Sequence, residues 1–280
     1  MKRGSWKLGE LSGIGVYVHW SFAILPVWIG LSALGAGAGL FGAIDAVFFI
    51  FALFGCVVLH EMGHALMARR FGIGTRDITL YPIGGVASLE RIPERPAQEL
   101  AIALAGPAVN MVIAGVLFVG MLISGSLSSS IALNPMLNPF FTNLLIANVA
   151  LVVFNMLPAF PMDGGRVLRS LLALRMPYLR ATEIATLTGQ MVAILFGLIG
   201  LFSGGLSLLL IAVFVYFAAT AELNMTRMRY SSPFIHATQP DGSVVEIWDD
   251  AKMSASEFAF RSRHGLFRDG FSGDGQRPST

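Results

Sequence analysis

The chain has 280 residues, of which 55% are hydrophobic and only 13% charged, against about 25% charged in an ordinary soluble domain. That composition puts most of the chain in lipid, and a formal net charge of +2 gives no reason to expect a nucleic-acid partner. A single cysteine, Cys56, excludes an intrachain disulfide.

Met1 to Glu10 is short and basic, with Lys2, Arg3 and Lys7. No small-residue cleavage site clearly closes the apolar run after it, so it does not read as a signal peptide. That run, Val16 to Gly35, is long enough to span a bilayer. Trp20 and Trp28 within it read as interfacial or packing aromatics. His19 reads as an interface polar residue, with a place in an intramembrane site as the alternative. After a glycine-rich turn, Gly35 to Gly42, a second span runs from Ile44 to Met67 and is followed at once by Arg69 and Arg70.

Near the C-terminal end of this second span stands His60-Glu61-Met62-Gly63-His64. On a helix, residues four apart share a face, so the two imidazoles can grip one zinc ion. Glu61 lies beside them, placed to take a proton from zinc-bound water. This is the H-E-x-x-H pattern of zinc metalloproteases. A charged group at the centre of a membrane helix costs roughly 2.5–3.5 kcal/mol, so metal-binding and ionisable side chains here need a compensating role. Cys56, one turn earlier, reads as a packed thiol rather than a soft extra ligand.

Between the second and third spans, Thr75 to Leu89 alternates through Ile78 and Leu80 and then carries Pro82 and Gly84-Gly85, which predicts a short β-hairpin. Its functional reading is an edge that pairs with an extended substrate. The third span, Glu99 to Ser124, contains Gly106-Pro107 and Asn110. Asn110 is either helix–helix glue or a hydrogen-bond donor near the substrate. A fourth span, from Asn143, ends in a break from Asn155 through Pro158 and Pro161 to Asp163-Gly164-Gly165. Asp163 could cap a helix or pair with Arg166, but catalytic zinc commonly has three protein ligands, and the His pair supplies two. Two more apolar runs follow, Ile184 to Phe202 and Leu206 to Leu223.

The positive residues alternate between loops. Arg69, Arg70, Arg76, Arg91 and Arg95 separate spans two and three; Arg166, Arg169, Arg175 and Arg180 separate four and five; Arg227 and Arg229 follow the last. The three remaining loops carry none, which predicts about six spans with both termini in the cytoplasm. His64 and Asp163 then fall at the same, cytoplasmic side. The expected fold is an all-α polytopic membrane protein with about six transmembrane helices and a small β-hairpin inserted between the second and third. A transmembrane core, 1–225, precedes a cytoplasmic tail, 226–280, with a turn at Gln239 to Gly242, a strand through Val244, Val245 and Ile247, and a polar, largely disordered end. His236 and His264 in that tail receive no role.

Three motifs in order, His60 to His64, Gly106-Pro107 with Asn110, and Asn155 through Asp163-Gly164, resemble the site-2 protease family of intramembrane zinc metalloproteases. The resemblance covers Val16 to about Leu223, with Met162 where leucine is usual. It implies one zinc ion held by His60, His64 and Asp163, with Glu61 as general base. It also implies substrates that are single-pass membrane proteins, cut within or near their transmembrane segments, in a bacterial-type plasma membrane. Asn110 or Asn155 is expected to meet the oxyanion. Two other classes compete with this reading. A metal-ion transporter would need ligands across the membrane, and the outer halves of the spans offer almost none beyond His19 and Asp45. An inactive, client-binding homologue would have no need for Glu61.

Overall fold

The computed structural model describes residues 4–82, 84–91, 93, 95–124, 137–231, 234–238 and 244–248. The chain divides into two compact units, Met1–Leu223 and Asn224–Thr280. The first opens with β1 (Ser5–Leu11) and β2 (Ile14–His19), then a short 3-10 turn, Trp20–Ala23, and helix α1 (Ile24–Gly35). Helix α2 (Gly39–Arg70) is followed by β3 (Thr75–Tyr81) and β4 (Gly84–Leu89). Helices α3 (Pro96–Ile123), α4 (Leu137–Asn155), α5 (Asp163–Ala173), α6 (Tyr178–Ser203) and α7 (Leu206–Ser231) complete it, the last running on past the boundary.

Among the described residues four helices, α2, α3, α6 and α7, are long and apolar enough to cross a membrane; Trp20–Gly35 and Pro139–Asn155 are shorter apolar helices. Helix α2 stops for a readable reason. Gly72 takes a left-handed φ of 70°, its N–H bonds the Arg69 carbonyl at 3.0 Å, and the Ile73 N–H bonds the Ala68 carbonyl at 3.0 Å. That pair of bonds is a Schellman ending, which only a residue tolerant of positive φ closes without cost. Arg69 and Arg70 in the last turn suit the negative end of the helix dipole.

The first expected span is corrected by the structure. Val16 and Val18 belong to β2, not to a helix, and the regular helix begins only at Ile24. A run of β-branched apolar residues suits a strand as well as a membrane helix, and periodicity does not separate the two over so few residues. The strands form one sheet in the order β1-β2-β3-β4. β1 and β2 are antiparallel, β2 and β3 parallel from Gly15↔Asp77 to Val18↔Leu80, and β3 and β4 antiparallel. The parallel pair is possible because α1 and α2 supply the long crossover between β2 and β3. β3 is therefore an inner strand, not an edge. Among the described residues, β4 is the strand of this stretch that ends the sheet.

The sheet is anchored on the zinc-motif helix. Ile14 and Ile78 pack with Met62 and Ala65 in one buried cluster, with Ala87 against it. The break after α4 is likewise enclosed by protein, with Ala159 and Phe160 buried. Small residues of α6 make this possible. A Cβ added at Gly189 would lie 3.1 Å from the Ala159 Cα, and Ala193 joins Ala159 and Val215 in a buried cluster. Irregular backbone in an apolar setting persists only when protein covers it.

The second unit contains β5 (Phe234–Thr238) and β6 (Val244–Trp248), paired antiparallel from Phe234↔Trp248 to Thr238↔Val244. His236 lies in β5 opposite Glu246. The expected turn at 239–242, His264 and the polar end of the tail lie outside the described residues.

Candidate metal centre

Helices α2 and α3 cross closely because both carry glycine at the crossing. A Cβ at Gly63 would sit 2.7 Å from the Ala105 carbonyl oxygen, and one at Gly106 would sit 2.2 Å from His64 Nε2 and 2.7 Å from His60 Nε2. Even alanine at Gly106 would fill the space in front of both imidazoles. Pro107, next in sequence, has no N–H for the Ala103 carbonyl. One residue earlier, the Ile102 carbonyl accepts from His64 Nδ1 at 2.7 Å. His60 Nδ1 donates to Asn110 Oδ1 at 2.5 Å. Each ring is therefore held from behind by a group on α3, and each turns its Nε2 forward.

Asp163 comes from the far side as the first residue of α5. Gly164 and Gly165 let that helix start tightly against the preceding loop, since a Cβ on Gly164 would meet the Leu157 carbonyl oxygen at 2.2 Å. Asp163 Oδ2 lies 3.2 Å from His60 Nε2 and 3.1 Å from His64 Nε2, and the two Nε2 atoms are 3.1 Å apart. All three side chains are buried. A carboxylate at the first turn of a helix is favoured by the helix dipole.

The donor set fits zinc. An acceptor-only carbonyl behind His64 fixes its proton on Nδ1, so its Nε2 presents a lone pair. Two such nitrogens and a carboxylate oxygen converge with all three ligand atoms within 4.8 Å of one another, and this is the group among the described residues able to hold a metal. Two nitrogens and one oxygen are a common catalytic zinc set. Three lone pairs crowded at about 3 Å in a buried site repel one another unless a proton or cation lies among them.

Glu61 is half-buried beside this group, with its carboxylate near the backbone N–H of Ala87. Gly85 makes room for it, because a Cβ there would lie 2.8 Å from Glu61 Cγ and 3.2 Å from Val57 Cγ1. Strand β4 thus runs directly alongside the glutamate of the H-E-x-x-H pattern, so Gly85 has a packing reason, whereas Gly84 serves the turn with its φ of 141°.

Other candidate residues are placed differently. Both polar ends of Asn110 are engaged, Oδ1 with His60 and Nδ2 with Asn148 Oδ1 at 2.9 Å. Its amide is thus spent between His60 and Asn148, which leaves neither end for the expected oxyanion contact. Asn155 is half-buried at the C-terminal end of α4. His19 stays on the sheet, bonded through Nδ1 to Ser21 Oγ at 2.7 Å and ring-packed with Trp20 and Tyr81. Cys56 is buried and outside the three-residue group. Sequence reading missed Asn148, although an amide inside the otherwise apolar stretch 144–154 of α4 was a signal for it. It also missed the buried network in which Arg169 bonds Glu99 and Glu222.

Comparison with known proteins agrees with this geometry. The profile of Peptidase family M50 matches residues 48–135 and 126–196. A zinc metalloprotease of Methanocaldococcus jannaschii is 40% identical over 254 residues, covering 87% of this chain and 70% of the relative. Stage IV sporulation protein FB of Bacillus subtilis is 27% identical over 195 residues, covering 69% of this chain and 62% of that protein. A solved site-2 protease from Methanocaldococcus jannaschii matches with a TM-score of 0.56 and 37% identity, covering 78% of this chain and 95% of that one. With motif order, ligand geometry and relatives in agreement, the chain belongs to peptidase family M50 and is an intramembrane zinc metalloprotease of the site-2 protease type.

Proposed function

We propose that His60, His64 and Asp163 hold the zinc ion and that Glu61 is the general base of a peptidase acting on transmembrane segments of single-pass membrane proteins. The observation that carries the assignment is the convergence of two imidazole nitrogens and one carboxylate oxygen at 3.1–3.2 Å. Zinc bound there supplies a Lewis acid that acidifies a coordinated water and polarises the scissile carbonyl. Glu61 accepts the proton that the attacking water loses and passes it to the leaving amine nitrogen. With Asn110 committed to His60, Asn155 is the amide left to meet the oxyanion. Six membrane passes, the four long helices plus the two shorter apolar ones, place both termini and the metal end on the cytoplasmic side. The alternation of arginine-bearing and arginine-free loops supports that orientation. Helix α2 has 32 residues, or about 48 Å against a hydrocarbon core of about 30 Å, so His64 can sit near an aqueous boundary while the helix still spans.

A peptide bond inside a helix is hidden in internal hydrogen bonds, and unwinding it in lipid leaves polar groups unsatisfied. Strand β4 offers them partners, since one side pairs with β3 and the other carries no strand among the described residues. The test is disulfide trapping in a Cys56→Ala, Glu61→Gln background. Val86, at 53% exposure, is replaced by cysteine and challenged with single-cysteine substrates. Trapping at alternate substrate positions is the expected outcome, because strand pairing has a period of two. A helical period, or no trapping, removes β4 from the substrate path. Uncut, zinc-loaded Glu61→Gln protein is expected throughout; cleavage by that variant at the wild-type rate would overturn the assignment of the base.

A further inference from the structure

Behind His60 the hydrogen bonds continue past Asn110. Asn110 Nδ2 donates to Asn148 Oδ1 at 2.9 Å, and Asn148 Nδ2 donates to the Leu144 carbonyl at 2.8 Å, with Cys56 Sγ at 3.5 Å as a weaker second acceptor. Asn110 and Asn148 are both 0% exposed. An amide's two ends look alike in shape and differ only in chemistry, so what matters is which group fixes the order. Here a backbone carbonyl fixes it. The Leu144 oxygen can only accept, so the Asn148 NH2 must face it and Asn148 Oδ1 must face Asn110. The same step repeats: Asn110 must present its NH2 to Asn148 and its oxygen to His60. His60 must then carry its proton on Nδ1, which leaves the lone pair of Nε2 pointing at the metal position.

We infer that Asn148 is a positioning residue, setting the tautomer and ring angle of His60 through Asn110 from a backbone carbonyl on α4. This rests on His60 being a zinc ligand. It assigns a function to an amide with no contact to the metal group and gives Cys56 a place as a minor end acceptor. The two imidazoles are then oriented by the same device at different range. His64 uses a main-chain carbonyl directly, whereas His60 reaches one through two amides. Partners behind a ligating histidine typically change metal affinity by 10–100-fold when lost.

The experiment measures zinc dissociation constants of purified full-length variants by competition with a chromogenic chelator, together with the visible spectra of the cobalt-loaded proteins. Asn148→Leu is expected to weaken zinc by about tenfold and to shift the cobalt bands. Asn148→Ala supplies the same reading if the leucine variant does not fold. Asn148→Asp can keep the relay, since a protonated carboxyl donates to Leu144 and accepts from Asn110, and is expected to bind zinc within about threefold of the parent. Cys56→Ala is expected to match the parent. Asn110→Leu with Asn148→Leu is expected to be no weaker than Asn110→Leu alone, because two members of one chain do not add. Additive losses, or parental affinity and spectrum in both Asn148→Leu and Asn148→Ala, would overturn the relay. His60→Ala separates the two readings: if it binds zinc like the parent, the ligand assignment itself fails, whereas its loss beside intact Asn148 variants sinks the relay alone.

Discussion

Two buried polar clusters hold the helices of this protein together, and they are built on opposite plans. At the junction of α3, α5 and α7, Arg169 donates through Nε to Glu99 Oε1 at 3.0 Å, through Nη2 to the same oxygen, and through Nη1 to Glu222 Oε1 at 2.6 Å. Its guanidinium lies over the Phe160 ring at 4.9 Å and the Tyr178 ring at 5.1 Å. Every contact there joins a donor to an acceptor, or a cation to a ring face. At the metal centre the arrangement is reversed, because Nε2, Nε2 and Oδ2 are three acceptors aimed at one point. The first cluster pairs its cation with carboxylates on both sides, and only Glu99 Oε2 is left there without a hydrogen bond among the described residues. The second is complete only with something positive in the middle. Burial of charge alone therefore does not mark a functional site in this chain; mismatch does.

The largest expected effect breaks the second cluster. His60→Ala with His64→Ala removes two of three ligands and should bring zinc from about one per chain to near zero by elemental analysis. Peptidase activity should vanish with it. Full zinc in this variant would move the site elsewhere. Glu61→Gln should instead keep the metal and lose cleavage by about 10²–10⁴-fold, the usual worth of a general base.

Breaking the first cluster should hurt stability rather than chemistry of the metal. Arg169→Met leaves the buried Glu99 without its cation, which for one partner of a buried pair typically costs about 3–5 kcal/mol, while the partly exposed Glu222 can turn to water at little cost. Adding Glu99→Gln removes one orphaned charge and should recover much of that loss in detergent unfolding curves. Arg169→Lys should fall in between, because an ammonium cannot reproduce the fork to Glu99 or the stacking on Phe160 and Tyr178. If the double variant is no more stable than Arg169→Met, the carboxylates are not the source of the cost.

The two clusters also differed in how far they could be read beforehand. His60 and His64 are four apart on one helix, so their shared face follows from helical geometry alone. Asp163 is expected from a chemical need, a third ligand, coinciding with a break in an apolar run, and it lies 3.1–3.2 Å from both rings. Arg169 and Glu99 are 70 residues apart, and nothing local in either segment says that they meet. Asn110 shows a third case: its burial is legible but its partner is not, so an amide read either as helix–helix glue or as facing the substrate stands behind His60. β2 was hidden for another reason, since Val16 and Val18 continue smoothly into an apolar helix and only pairing with β3 reveals the strand. The inner position of β3 follows from that same missed pairing.

The smallest effect is the sharpest test of the mismatch. Asp163→Asn keeps the shape of the side chain but replaces one acceptor oxygen with an NH2 donor. For zinc this is a loss, because a neutral amide is a poorer ligand than a carboxylate, and affinity should fall well below the parent. For the metal-free protein it is a gain. Either Nε2 could accept a hydrogen bond from the new NH2 at the 3.1–3.2 Å now separating the acceptors, where a net contribution of about 0.5–1.5 kcal/mol is usual. The zinc-free Asp163→Asn protein should therefore unfold at a higher temperature than the zinc-free parent, with the order reversed when zinc is present. A swap at Glu99, which already faces donors, should show no such reversal: Glu99→Gln should destabilise with or without metal. If Asp163→Asn lowers stability in both states, the three acceptors are not in conflict before the ion arrives, and the contrast between the two clusters is one of composition only.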